Sequence, residues 1–351
     1  MANTVKVLVV GLGNMGASHA SAYHRNPGFE IVGLMSRSIK SKPVPDELSG
    51  YPLFEDYDAA LEATRPDAVS INSWPNTHAE YAIKAIHAGA HVFMEKPLAT
   101  TITDAEAVVA LAREKGKKLV LGYILRVHPS WMKFTELAQT LGKPLVMRLN
   151  LNQQSSGPAW MWHKNLIDSL IPIVDCGVHY VDVMCQLTGA KPVRVHGIGA
   201  HLWAEADKAN YGHLHVTFDD GSVGWYEAGW GPMISETAFF VKDVMSPKGS
   251  VSIVMEEGAA SSDVDTHTKT SRIRVHHAER GADGRFAQPD TWLSTADEPG
   301  HQALCDREQA FVLQAIRENV DLTRHNEDAV RSLEIVLAAE TSMRENRSVT
   351  L

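Results

Sequence analysis

Early in the chain, short apolar runs alternate with segments whose apolar residues recur every three or four positions. The runs Val5–Val10, Glu30–Met35, Ala68–Asn72, His91–Met94 and Lys118–Leu121 predict strands. Between them, Met15–Arg25, Asp56–Thr64, Thr77–Ala88 and Thr103–Lys115 predict helices. Gly89 and Gly116 stop the last two, and Thr103-Asp104-Ala105-Glu106 reads as a capping box. This alternation predicts a doubly wound parallel sheet, an α/β domain over residues 1–124.

After Gly122 the pattern changes. His128–Leu141 predicts a helix entered through Pro129, where a missing N–H costs nothing, and Leu145–Gln153 predicts a strand. Asn165–Leu187 reads as helical, bent or interrupted at Pro172 and Gly177. From Pro192 to about His277 the chain is strand-rich: Val193–Gly199, His213–Phe218, Ser222–Gly229 and Ala238–Val244 alternate or carry β-branched and aromatic residues. Asp219-Asp220-Gly221 marks a hairpin turn. Segment 256–298 is polar and weakly patterned, and two helices, near 299–319 and 326–345, close the chain. Residues 125–351 thus predict an α+β domain, one open sheet backed by helices.

Bulk properties narrow the classes. The chain has 351 residues, enough for two cores. A net charge of -9 leaves no basic footprint for nucleic acid. No stretch has the length of a membrane span and no signal-peptide pattern is visible. The three cysteines, Cys176, Cys185 and Cys305, are scattered without a Cys-x-x-Cys pair, which points to a reducing, cytoplasmic setting. Among 17 histidines, His213-x-His215 and His276-His277 lack Cys or carboxylate partners at ligand spacing, so no metal is expected.

Chemistry enters at three motifs. Gly11-Leu12-Gly13-Asn14-Met15-Gly16 follows the first strand and opens the first helix. In such a loop the first glycine permits the turn, the second lets backbone approach a pyrophosphate, and the third lets helix pack on strand; the helix N-terminus favours the anion. The second strand ends at Ser36-Arg37 where a carboxylate would bind the 2′-hydroxyl of NAD. A serine repels no 2′-phosphate and Arg37 could pair with one, so the cofactor expected is NAD(P) with a lean toward NADP. Glu95-Lys96-Pro97 stands at the carboxyl end of a strand, where ligands bind in this architecture. A lysine beside a cationic ring would have a lowered proton affinity and could transfer a proton; the plain alternative is an exposed lysine paired to Glu95. Asp175-x-x-x-His179 sets a carboxylate one helical turn from an imidazole, able to orient it.

Further candidates follow from position. Ser73, Trp74, Asn76 and His78 follow the Ala68–Asn72 strand and would line the nicotinamide side; Tyr123 and Arg126 would face the substrate. Trp160, Trp162 and His163 precede the Asp/His segment, and an aromatic platform suits a sugar.

These motifs resemble the Gfo/Idh/MocA family of nicotinamide-dependent oxidoreductases in GLGNMG, in WPNTH at 74–78, in EKP at 95–97 and in DCGVHYVD at 175–182. The resemblance implies an N-terminal Rossmann domain and a C-terminal domain whose large, mostly antiparallel sheet joins copies as a dimer or tetramer. It matches Lys96 to the family's active-site lysine and Asp175 and His179 to its Asp/His pair. It implies oxidation of a sugar or polyol hydroxyl by hydride transfer, an aldose to a lactone or a cyclic polyol to a ketone, with His179 or Lys96 as the base. Ser169–Val174 is bulkier than the small residues common before the Asp in relatives, and Ser36-Arg37 departs from members with an acidic residue there. Two other readings stand beside this one: a glycosidase of the same fold that oxidises its sugar transiently, and a cofactor-binding regulator without catalysis.

Overall fold

A computed structural model describes residues 4–39, 44–235, 241–255 and 268–351. By contacts the chain divides into two compact units, residues 1–124 with 299–330, and residues 125–298 with 331–351.

The first unit holds β1 (Val5–Val10), α1 (Asn14–Arg25), β2 (Phe29–Met35), β3 (Leu53–Phe54), α2 (Tyr57–Thr64), β4 (Ala68–Ile71), α3 (His78–His87), β5 (His91–Met94), α4 (Ile102–Glu114) and β6 (Leu119–Leu121). All six strands run parallel in the order β3-β2-β1-β4-β5-β6. β4 is buried throughout, as a strand covered by helices on both faces must be. The predicted elements stand, with small shifts at their ends. Asp56 caps α2 by accepting the Ala59 N–H at 2.8 Å. One cap differs: α4 begins one residue earlier than expected, and Thr101, not Thr103, accepts the Asp104 N–H. Thr101 is the last extended residue, so its hydroxyl meets the free donors, whereas Thr103 already lies inside the helix.

The second unit opens with α5 (Pro129–Gln139), β7 (Val146–Gln154), α6 (Pro158–Ile167), α7 (Pro172–Asp175) and α8 (Gly177–Thr188). The segment expected as one interrupted helix from Asn165 is therefore three helices starting at Pro158. Pro172 occupies a first turn, and Gly157, at φ 54°, precedes Pro158. Strands β8 (Pro192–Ala200), β9 (Tyr211–Phe218), β10 (Val223–Gly231), β11 (Lys242–Ser246), β12 (Gly249–Val254), β13 (Arg272–His277) and β14 (Thr291–Ser294) follow. They form a nine-stranded sheet ordered β14-β13-β12-β11-β7-β10-β9-β8-β15, whose last member is β15 (Val349–Thr350). Every pairing is antiparallel except β7 with β10. β9 and β10 meet at the expected turn, with Gly221 at φ 82°. β9 and β12 alternate buried with part-exposed positions, so one face of the sheet is covered, and α7 and α8 lie against it at β10. The strand expected over Ala238–Val244 lies partly outside the described residues; its described part belongs to β11, two residues further on. β13 and β14 lie within the polar segment that carried no clear pattern.

The two closing helices are α9 (His301–Arg317) and α10 (Thr323–Glu345). Sequence placed both in the second domain, but α9 and the start of α10 belong to the first unit. Val312, Ala315 and Leu322 join its core beside Tyr23 and Phe29, and Arg25 pairs with Asp306 at 2.6 Å. The apolar stripe of α9 thus completes a core that the first 124 residues leave open. Among the described residues no single helix is long and apolar enough to cross a membrane.

Candidate active site

In the first unit the glycine loop has the shape its spacing predicts. Gly11 sits at φ 86°, and a Cβ there would lie 2.5 Å from the Asn72 carbonyl oxygen. A Cβ on Gly16 would collide with the Gly11 carbonyl, so helix and turn pack without side chains between them. Gly13 is the opposite case: nothing lies within 4 Å of its missing Cβ, which leaves bare backbone open to a ligand. Asn14 and Met15 begin α1, with Gly13 and Asn14 exposed. This cradle fits a pyrophosphate on every count the fold allows: tight turn, open backbone, helix N-terminus.

At the end of β2 the Ser36 hydroxyl lies 3.4 Å from the Ser38 N–H, and Arg37 is exposed. A cavity of about 180 Å³ there is lined by Arg37 and Lys84 together with Glu55, Asp56, Asp58 and Glu80. Lys84 already bonds Asp58 and Glu80, each at 2.9 Å. Past β4, Trp74 is half-exposed, Asn76 is exposed, and the Ser73 hydroxyl bonds that of Thr77 at 2.6 Å. His78 is buried. Its Nδ1 lies 2.7 Å from the Pro97 carbonyl and its Nε2 3.0 Å from that of Ser73. Expected to line the nicotinamide side, it ties two strand-end loops together instead of presenting a free edge.

Glu95 and Lys96 follow β5. The Lys96–Pro97 peptide is cis. Glu95 is not a surface partner: it is buried, its Oε1 is 2.8 Å from His19 Nε2, and its Oε2 accepts the Lys96 backbone N–H at 3.2 Å. Lys96 remains partly exposed. Tyr123, at the end of the same unit's sheet, is buried with its ring 6.3 Å from that of His325.

In the second unit, Asp175 ends α7 and His179 lies in the first turn of α8, with Cys176 in helical conformation between them. The pair is 6% and 7% exposed. A Cβ on Gly177 would lie 2.9 Å from Val336 and 3.3 Å from Tyr226, so the glycine of Asp-x-Gly-x-His lets the helix joint settle on the sheet. Cys176 Sγ approaches Gln153 Oε1 at 3.6 Å, and the Trp230 indole N–H donates to the same oxygen at 2.9 Å. Trp230 stacks on His163 (4.7 Å, 8°), which stacks in turn on Trp162. Ser155 bonds His163 Nδ1 at 2.8 Å, and burial pushes this imidazole down to about 4, with nearby Asp175 acting in the other direction. Trp162 is 48% exposed, and Trp160 lies against Trp203 at 4.6 Å. The aromatic platform and the Asp/His segment are thus linked through Gln153. Arg126 is held by Asp182 in a two-pronged bond.

Sequence reasoning passed over two residues. Lys242 of β11 is fully buried, donates to the Asn150 carbonyl, and lies 4.4 Å over the Tyr180 ring. Burial pushes its amine down to about 7, with Cys176 opposing. Its phase with Val244 marked it as inward-facing. His19 of α1 is the other, three residues after Gly16. Among the described residues His19, Cys305 and Glu308 bring ligand atoms within 4.8 Å of one another. Both nitrogens of His19 are already bonded.

Comparisons with known proteins agree with this fold. Residues 5–123 match the family model described as "Oxidoreductase family, NAD-binding Rossmann fold", and residues 137–259 match the GFO/IDH/MocA C-terminal domain. The chain is 30% identical over 216 residues to UDP-N-acetylglucosamine 3-dehydrogenase of Acidithiobacillus ferrooxidans, covering 61% of this chain and 64% of that protein. It is 29% identical over 241 residues to scyllo-inositol 2-dehydrogenase (NAD(+)) of Bacillus subtilis, covering 65% and 68%. The matched region is about two thirds of the length of these curated relatives. The crystal structure of scyllo-inositol dehydrogenase from Lactobacillus casei with NAD(H) and scyllo-inositol superposes with a TM-score of 0.74 at 22% identity, covering 99% of each chain. The chain belongs to the Gfo/Idh/MocA family of oxidoreductases.

Proposed function

We propose that this protein is an NAD(P)-dependent dehydrogenase that oxidises a hydroxyl of a sugar or polyol. The observation that carries the reading is Lys96. It is partly exposed at the carboxyl end of β5, on a turn whose glutamate is anchored inward, in the unit that carries the open Gly13 backbone. The relatives named above act on an amino-sugar nucleotide and on an inositol, which supports this substrate class.

Bound at the glycine loop, the nicotinamide would take the hydride from the carbinol carbon. The chain's own groups handle the proton and the charge. Lys96 or His179 takes the hydroxyl proton, and a lysine ammonium stabilises the oxygen as its charge develops. Asp175 orients His179, and Trp160, Trp162 and His163 offer a platform for a sugar face. A neutral His163 suits a ligand of hydroxyls better than one of anions.

The finer cofactor reading turns on Arg37. A 2′-phosphate would gain Arg37 but meet Glu55, Asp56, Asp58 and Glu80 around the same cavity. Lys84 is spent on two of them. These carboxylates outweigh the lean toward NADP read from Ser36-Arg37, and we assign NAD as the better cofactor, with Arg37 allowing NADP.

Three buried cysteines outside any disulfide support a reducing, cytoplasmic setting. The open sheet face carries a cavity of about 550 Å³ lined by Val146, Val223 and Trp225, which supports packing against a second copy. Light scattering on the purified protein tests the latter. Activity is tested by absorbance at the reduced-nicotinamide band against aldoses, inositols and glycosides, with NAD and NADP in parallel. A rise with one sugar supports the reading; clear cofactor binding with no oxidation of any of them contradicts it.

A further inference from the structure

His19 stands at the meeting of three elements. It lies on α1 and is fully buried. A buried imidazole is costly unless both ring nitrogens find partners. Here Nε2 reaches Glu95 Oε1 after β5 at 2.8 Å, and Nδ1 lies 2.8 Å from Gln309 Nε2 on α9. The ring meets Phe93 edge-on at 4.7 Å. Glu95 carries the connection onward, because its second oxygen accepts the backbone N–H of Lys96. The space around this carboxylate is reserved: a Cβ on Gly122, just past β6, would lie 3.1 Å from Glu95 Oε1.

The consequence is a chain of fixed groups, Gln309 to His19 to Glu95 to the turn of Lys96. Bonded at both oxygens, the carboxylate is held inward. Its second oxygen is pinned to the lysine's own backbone N–H, so the carboxylate is fixed against the turn from which the lysine side chain leaves. Other groups bear on the same turn. His78 on α3 holds the Pro97 carbonyl. On α9, Cys305 and Glu308 have ligand atoms within 4.8 Å of those of His19.

We propose that His19 is a positioning residue for the reaction: it fixes the Glu95 carboxylate and thereby both the turn that carries Lys96 and the negative charge next to it. This rests on the reading of Lys96 as a proton-transferring group. Removing the imidazole leaves the buried carboxylate one partner short and disfavours its charge. A lysine deprived of that negative neighbour holds its proton less tightly.

The test measures Lys96 directly. Trace acetic anhydride labels amines only when unprotonated, so labelling of the Lys96 peptide against pH, read by mass spectrometry, gives the midpoint for that amine. His19→Phe is expected to lower the midpoint by about one pH unit. His19→Gln, which keeps a donor, should restore most of it. Binding of NADH, followed by fluorescence, should change less than about threefold, within RT ln 3 of the wild type. Gln309→Leu, which removes only the outer bond, should give a smaller shift in the same direction and serves if His19→Phe does not fold. An unchanged midpoint in a folded His19→Phe or Gln309→Leu protein overturns the proposal. A wild type that oxidises no sugar overturns the functional reading instead, and the labelling midpoint still decides the role of His19.

Discussion

Arg126 grips Asp182 through two hydrogen bonds, Nε to Oδ2 at 2.8 Å and Nη2 to Oδ1 at 2.5 Å. Asp182 is fully buried on α8, three residues after His179, so the pair fixes the rotation of the helix that presents the imidazole. Arg126→Met would take away both of these bonds and leave the carboxylate accepting from Gln186 Nε2 at 2.9 Å. Loss of one member of a buried pair costs roughly 3–5 kcal/mol. Urea unfolding should show that loss, and Arg126→Met/Asp182→Leu should recover most of it. A single variant as stable as the wild type contradicts the structural role. A double variant that regains stability but not substrate KM would make Arg126 a substrate ligand as well.

Arg37→Ala tests the cofactor assignment. Among the described residues lining this cavity the exposed guanidinium is the cation not already held by two carboxylates, so kcat/KM with NADP should fall about tenfold while that with NAD holds, a difference of about 1.4 kcal/mol. Equal losses with both cofactors would place Arg37 at a part of the dinucleotide that the two share.

Lys242 predicts a pH signature in stability. Its folded-state value of about 7 lies below the ordinary 10.5. Between those limits the unfolded chain holds a proton that the folded protein has released, so stability rises with pH. Lys242→Met removes this cost. The variant should exceed the wild type by several kcal/mol at pH 7 and below, with the gap closing toward pH 10.5. Thermal unfolding across that range checks it, and a gap independent of pH contradicts it.

Trp162→Ala tests the platform. Losing a stacking face worth about 0.5–1.5 kcal/mol should raise KM for the sugar two- to tenfold and leave kcat near the wild-type value. A fall in kcat at constant KM would instead tie the tryptophan to the placement of the Asp/His segment.

The first unit was legible because its signals are local. A parallel sheet buried on both faces writes its strands as apolar runs, and Gly11, Gly13 and Gly16 each answer to a separate steric need. The second unit was less so. Sequence spacing put Asp175 and His179 on one helix, whereas Pro172 and Gly177 divide the segment and Cys176 links its parts. β13 and β14 pair across a polar stretch whose alternation is weak, so their register depends on neighbours far away in sequence. The return of α9 to the first unit is a long-range packing choice, made by Val312 and Ala315 finding the open core. His19 and Lys242 stayed hidden for a similar reason. By residue type each reads as a surface position until Glu95, Gln309, Asn150 and Tyr180 close around it, and only the strand phase that Lys242 shares with Val244 pointed inward.

The measurement closest to the central claim compares the wild type with Lys96→Ala. Steady-state reduction of NAD(P) would be followed with the best sugar substrate, alongside NADH binding by fluorescence. The account predicts a fall in kcat of about 10²–10⁴-fold with nearly unchanged NADH affinity, as befits loss of a proton-transferring group. Near-normal turnover in a folded Lys96→Ala protein would contradict it.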